Sequence, residues 1–258
     1  MVYEVKMIDT HAHLNYYGDL DELVKKMKDD GLDFIVNIGT TVKDSKQGIG
    51  FAEKYEKVYT TVGIYPEYSL DITQNDIDEI RKLASHEKVV AIGEIGLDYH
   101  RENHDKLSQK DLFIKQLEIA NEAGIPFCIH CRGAVGDVYE VLKTHKHLIN
   151  HSGLMHCYSE GSEWAMKFVE LGLYISLSGN ITYKKSDRSF LKNLPLDRIL
   201  FETDAPYLSP EPLRGRQNEP RNVRLTMERV AKEIGIDSAE LERISTENAR
   251  RFYFKIKD

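Results

Sequence analysis

The sequence predicts an α/β protein folded as one (β/α)8 barrel over residues 1–258, with its polar working residues at the C-terminal rim of the strands. Three observations predict it. Short apolar or β-branched runs alternate with amphipathic helical stretches along the chain, the pattern of a closed barrel or a doubly wound sheet. No G-x-G-x-x-G or G-x-x-x-x-G-K-[ST] loop follows an early strand, which removes the usual signature of a nucleotide-binding open sheet. The histidines and carboxylates that stand out fall at or near the ends of five of the apolar runs, and barrels place their chemistry at that rim.

The eight strand-like runs are VKMIDTH (5–11), DFIVNIG (33–39), VYTTVGIY (58–65), KVVAIGEIG (88–96), IPFCIHC (125–131), GLMHCY (153–158), LYISLSG (173–179) and RILFETD (198–204). Between them lie helical patterns such as DLDELVKKMKDDG, SQKDLFIKQLEIANEAG and SEWAMKFVELG. In the first, Leu20, Leu23, Val24 and Met27 occupy i, i+3, i+4 and i+7 of one helical face. The other two run into Gly124 and Gly172, the residue type that a left-handed helix terminus favours.

Composition narrows the function classes. A chain of 258 residues with 41% hydrophobic content can bury a large core without disulfides or a structural metal. The N-terminus has no basic and apolar leader, and no apolar run approaches the roughly 20 residues that span a bilayer. The expectation is a soluble, cytoplasmic protein with no membrane partner and no obligate protein partner. A net charge of −7 argues against a protein that coats nucleic acid nonspecifically. It does not argue against an enzyme of phosphodiesters, because part of the acidity can be metal ligands. The densest basic stretch is Arg214, Arg216, Arg221 and Arg224.

The chemistry is carried by six side chains. His11 and His13 alternate with Ala12 at the end of the first run, so both imidazoles point to one face and can chelate one cation. Glu94 ends an otherwise apolar run, where a carboxylate is costly unless a cation or donor compensates it. It can bridge two metals with its two oxygens. His130 and His156 close successive apolar runs at matching positions, and Asp204 closes the last run before Pro206 forces a turn. Each alone has an ordinary structural explanation; six at equivalent positions do not. Mixed imidazole and carboxylate ligands suit two divalent ions of the Mg, Mn or Zn class. Asp204 and Glu94 are the expected catalytic pair, with Asp204 taking the proton of an activated water. Glu202 shares Asp204's parity and is expected to support the ligands or to be a lesser one.

Other polar clusters read differently. Cys128, Ile129, His130 and Cys131 form one C-x-x-C with no second pair, so a zinc ribbon is excluded. Cys128 is expected beneath His130, Cys157 facing the helices, and all three thiols structural. His145, His147 and His151 precede a strand and are expected on solvated surface at the opposite rim. For substrate, Arg132 directly follows His130 and offers a bidentate fork. Arg214 and Arg216 lie after the last strand, where barrels often build phosphate sites. Tyr99 and His100 are placed to stack on or hydrogen-bond a base.

Over its whole length the chain resembles the TatD family of metal-dependent deoxyribonucleases, within the amidohydrolase superfamily. The resemblance rests on DTHAHL (9–14), GEIGLDY (93–99), IHCR (129–132), MHCYS (155–159), ETDAPYLSP (202–210), RGRQNEP (214–220) and TENARRFY (246–253). It implies a (β/α)8 barrel with a binuclear site. His11, His13, Glu94 and Asp204 would hold one ion, and Glu94, His130 and His156 the second. It also implies a 3′→5′ exonuclease acting on DNA ends, or alternatively a hydrolase of esters such as D-aminoacyl-tRNA. Two positions depart from the family: Tyr65 stands where G-[IV]-H-P has histidine, and Gly133 where H-x-R-D-A has aspartate. Neither is a metal ligand, so hydrolysis is expected to survive with altered rate or substrate preference. A protein that holds metal with little catalysis of its own is a third reading, disfavoured by the intact ligand set.

Overall fold

In the computed structural model, residues 7–100 and 104–256 are described. Eight parallel strands follow one another in chain order: β1 (Met7–Ala12), β2 (Leu32–Asn37), β3 (Val58–Val62), β4 (Val89–Asp98), β5 (Phe127–Arg132), β6 (Gly153–Met155), β7 (Tyr174–Leu177) and β8 (Ile199–Phe201). The expected strand over 5–11 thus begins at Met7; Val5 and Lys6 lie outside the described residues. The sheet curls until its edges meet. His13 N–H donates to the Ala205 carbonyl at 2.7 Å, Asp204 N–H to His11 O at 2.9 Å, and Thr10 Oγ1 to Phe201 O at 2.9 Å. Closure satisfies edge groups that an open sheet leaves exposed.

Helices α1 (Leu20–Lys26), α2 (Val42–Lys54), α3 (Gln74–Leu83), α4 (Lys106–Ala123), α5 (Val135–Thr144) and α6 (Ser162–Glu170) form the crossovers up to β7. Capping follows the sequence: Asp19, Thr41, Thr73 and Asp105 each accept a backbone N–H in the first turn of their helix. Gly124 ends α4 at φ 66°, and Gly172 follows α6 at φ 90°, both in the left-handed region. The predicted face of α1 packs as expected, with Leu20 and Met27 buried and Leu23 and Val24 partly buried against the core.

One expectation fails. Among the described residues no α-helix joins β7 to β8; the connection is made of short 3-10 turns at Gly179–Thr182, Ser189–Asn193 and Leu196–Arg198. Its asparagines, serines and Pro195 favour turns, and Phe190, Leu191 and Leu194 alone among its residues 184–198 are buried. Two helices then follow β8: α7 (Val223–Ile234) and α8 (Ser238–Phe252).

The core has two compartments. Most buried side chains fill the layer between strands and helices. A second cluster draws on all eight strands, among them Phe34, Tyr59, Val90, Cys128, Leu154, Tyr174 and Leu200, and on no helix before α8. Such a cluster lies inside the barrel. Phe252, Tyr253 and Ile256 from the end of α8 and beyond join it, and the Tyr253 hydroxyl donates to Thr10 O at 2.9 Å. These residues floor the barrel beneath its polar rim. Among the described residues, no helix is long and apolar enough to cross a membrane.

Candidate metal centre

The six candidate ligands lie in or just after five strands, β1, β4, β5, β6 and β8, and converge at one mouth of the barrel. Their side chains fall into two groups whose ligand atoms lie within 4.8 Å of one another: His11, His13 and Asp204, and Glu94, His130 and His156. In the first, the Nε2 atoms of His11 and His13 are 3.4 Å apart, and Asp204 Oδ1 is 3.5 and 3.2 Å from them. In the second, Glu94 Oε1 lies 2.9 Å from His130 Nδ1 and 3.0 Å from His156 Nε2. Glu94's other oxygen, Oε2, faces the first group at 3.8 Å from both imidazoles. One carboxylate therefore spans both groups. Asp204 turns its backbone into the left-handed region at φ 54°, where aspartate is tolerated better than most residues.

The donor chemistry fits divalent cations. Both ring nitrogens of His130 face carboxylate oxygens, Nδ1 that of Glu94 and Nε2 that of Asp98 at 3.0 Å. His156 repeats the pattern, with Nε2 on Glu94 and Nδ1 3.2 Å from Glu202 Oε1. A neutral imidazole carries one N–H, so its other lone pair meets the Glu94 carboxylate only with a proton or a cation between. Asp98 and Glu202 are the outer carboxylates that such histidines use to fix tautomer and ring orientation. Glu202 Oε2 is buried without a hydrogen-bond partner among the described residues, and His11, His156 and Glu202 also group tightly.

The electrostatics agree. Burial alone would raise Glu94, but the imidazoles of His156 and His130 outweigh it and hold its carboxyl well below the usual range. Burial alone would lower His156 and His130, yet the facing carboxylates raise both, His156 strongly. His11 goes the other way: full burial and the neighbouring His156 depress it well below the usual value. Its imidazole is thus held in the neutral form. Burial raises Cys131 and Cys157 to about 12 and Cys128 also upward, so all three are neutral thiols. None of the three forms a disulfide.

Two supporting residues escaped the sequence reading. Asp9 is fully buried and accepts from Thr203 Oγ1 at 2.5 Å, Thr203 N at 2.9 Å and His11 N at 3.3 Å, fixing β1's ligands to the end of β8. Asp98 accepts from the Tyr65 hydroxyl at 2.8 Å, and that hydroxyl is also 3.0 Å from His130 Nε2. Tyr65, the departure from the family pattern, is thus tied to the Glu94 group. Cys128 is buried inside the barrel, and the imidazole it meets is that of His11, at 3.4 Å from Nδ1. Cys157 departs from expectation: it lines the cavity, 3.1 Å from Ser178 Oγ, instead of facing the helices. Strand β6 ends at Met155 and Cys157 takes φ 47°, so strand parity no longer applies.

The groups open into a cavity of about 680 Å3. Of the expected substrate residues, Arg132 lines it; Tyr99, His100, Arg214 and Arg216 do not. The Tyr99 hydroxyl donates to Asp137 at 2.8 Å and the ring stacks on His104. Arg214 lies over the Tyr183 ring at 4.4 Å, while His100 and Arg216 are exposed. Gly133 takes φ 62°, a conformation that the family's aspartate also tolerates. His145, His147 and His151 precede β6, at the far end from the cavity, partly or fully exposed.

Fold and rim together define a metal-dependent hydrolase of the (β/α)8 class. A sequence model of the family described as TatD-related DNase matches residues 8–254, and the chain belongs to that family. It is 37% identical to the uncharacterized metal-dependent hydrolase YabD of Bacillus subtilis, covering 96% of this chain and 98% of that one. It is 31% identical to the 3′-5′ ssDNA/RNA exonuclease TatD of Cronobacter sakazakii, with 92% of each chain covered. The crystal structure of the TatD homologue YjjV from Escherichia coli superposes with a TM-score of 0.91 at 25% identity, covering 96% and 98% of the two chains.

Proposed function

We propose that the protein is a two-metal phosphodiesterase acting on the ends of DNA strands. The observation that carries this reading is Glu94, whose two oxygens face two separate imidazole groups. Two divalent ions held by these groups would supply a water deprotonated near neutral pH and neutralise charge on the phosphoryl oxygens. Asp204 presents its carboxylate to the cavity and takes the attacking water's proton. Arg132 reaches in from the end of β5 and binds a non-bridging phosphate oxygen through its fork. Asp98, Tyr65 and Glu202 hold the two second-group imidazoles in place. The family description and the exonuclease relative in Cronobacter sakazakii support the substrate class.

The test is an assay of metal-reconstituted protein on 3′- and 5′-labelled single-stranded DNA. Asp204→Asn is expected to lower turnover about 100- to 10,000-fold, with the barrel's circular dichroism intact. Glu94→Gln is expected to abolish it. Undiminished cleavage by highly purified Glu94→Gln protein would contradict the mechanism.

A second reading has one observation behind it: Arg132 is the sole Lys or Arg on the described lining, fewer than a phosphate site that also drew on Arg214 and Arg216 would have. That favours a carbonyl substrate such as the ester of D-aminoacyl-tRNA. Release of the amino acid from that ester, without DNA cleavage, would select it.

A further inference from the structure

Six large apolar or aromatic side chains are exposed among the described residues, and the tyrosines among them all lie on the metal-centre cavity: Tyr16 at 56%, Tyr207 at 49% and Tyr68 at 41% exposure. Single exposed aromatics are ordinary, whereas a group around one cavity marks a binding surface. Tyr16 and Tyr207 are brought together from the loops after β1 and β8, at opposite ends of the sequence. Their ring centroids are 6.0 Å apart at an interplanar angle of 65°. Each also packs edge-on to His13, at 6.0 and 5.9 Å. The result is an aromatic corner standing over a candidate metal ligand and open to solvent. The positive charge of the lining, Arg132, belongs to β5, while the corner belongs to the β1–β8 seam.

A ligand that suits both features joins a flat unsaturated ring to a phosphate. A nucleotide does so, and tyrosine faces accept any base because they read the ring and not its edge. A paired base is already stacked on its neighbours, so the corner selects an unpaired one. We propose that Tyr16 and Tyr207 form the subsite for the unpaired terminal base of a nucleic acid strand, held beside His13 while Arg132 takes the phosphate. This rests on the phosphodiesterase reading and deepens it by assigning the two tyrosines as the place where the terminal base is held.

The test compares a single-stranded oligonucleotide with twins carrying an abasic residue at the 3′ or 5′ terminus, using the metal-loaded protein. Loss of the base at the cleaved end is expected to lower kcat/KM about tenfold, the scale of one stacked base. Tyr207→Ala and Tyr16→Ala are expected to erase the difference, and Tyr207→Phe to keep it. Equal rates on intact and abasic ends would overturn the proposal, as would a Tyr207→Ala protein slowed by the same factor on both. Binding of dAMP against deoxyribose 5-phosphate needs no turnover and separates the two readings. If no oligonucleotide is cut but dAMP binds about tenfold tighter, and Tyr207→Ala loses that preference, the subsite stands and the phosphodiesterase reading falls. Equal affinity for the two sinks the subsite.

Discussion

Single residues decide how firmly each imidazole is held. Asp98 keeps His130 oriented through Nε2, and Tyr65 donates to the same carboxylate oxygen. Outer partners of this kind are typically worth 10- to 100-fold in metal affinity. Asp98→Asn is therefore expected to weaken binding of the second ion by about that factor, read by calorimetric titration of the metal-free protein. Tyr65→Phe leaves the His130–Asp98 contact in place, so its loss should be smaller than that of Asp98→Asn. An Asp98→Asn affinity equal to wild type would remove Asp98 from the site's design. The candidate ligands were legible because each lies within or just beyond an apolar run, where a polar residue is costly without purpose. Asp98 and Asp9 were not, because their value lies in partners such as Tyr65 and Thr203 that only the folded chain brings near. Cys157 misled for a local reason: alternation of faces holds within a strand and stops where the strand stops.

At the level of elements, close approach of β4 to β5 sets the spacing between Glu94 and His130. Gly96 allows it. A Cβ at that position would lie 2.1 Å from His130 O, and its φ of 133° is one that side-chain-bearing residues rarely adopt. Gly96→Ala is expected to cost at least about 1–3 kcal/mol in urea unfolding and to displace His130. Unchanged stability would show that the two strands can part at little cost. The floor of the barrel offers a second check. Tyr253→Phe leaves the buried Thr10 carbonyl without its hydroxyl donor and is expected to cost about 1–3 kcal/mol. The eight strands, and the helices α1, α4 and α6, were readable from periodicity and from the glycines that follow α4 and α6. The β7–β8 connection was not, because regular alternation elsewhere implied a helix that its turn-rich composition does not form. The role of α8's end was equally hidden: an amphipathic helix pattern says which face is buried, not that its last residues enter the barrel.

Across the whole molecule, metal and proton compete for the same imidazoles. His130 and His156 are raised in the folded metal-free protein, so their ion pairs stabilise it below the unfolded histidine value of about 6.5. That contribution is lost as pH rises through the raised folded values. Metal binding has the opposite dependence, since ligation needs the neutral ring. The gap in Tm between metal-loaded and chelator-treated protein is thus expected to widen from pH 5 to pH 8, as scanning calorimetry would show. A gap that shrank over this range would mean that these histidines do not bind the ions.

The position of the first ligand group carries a mechanical consequence. His11 lies in the first strand, His13 just after it and Asp204 just after the last, so an ion there would clasp the barrel along the line where it closes. Like any cross-link between residues distant in sequence, such a clasp removes the most freedom from the unfolded chain. Pulled from its two ends, the loaded molecule should yield at higher force than the stripped one, with the cation acting as its last fastener.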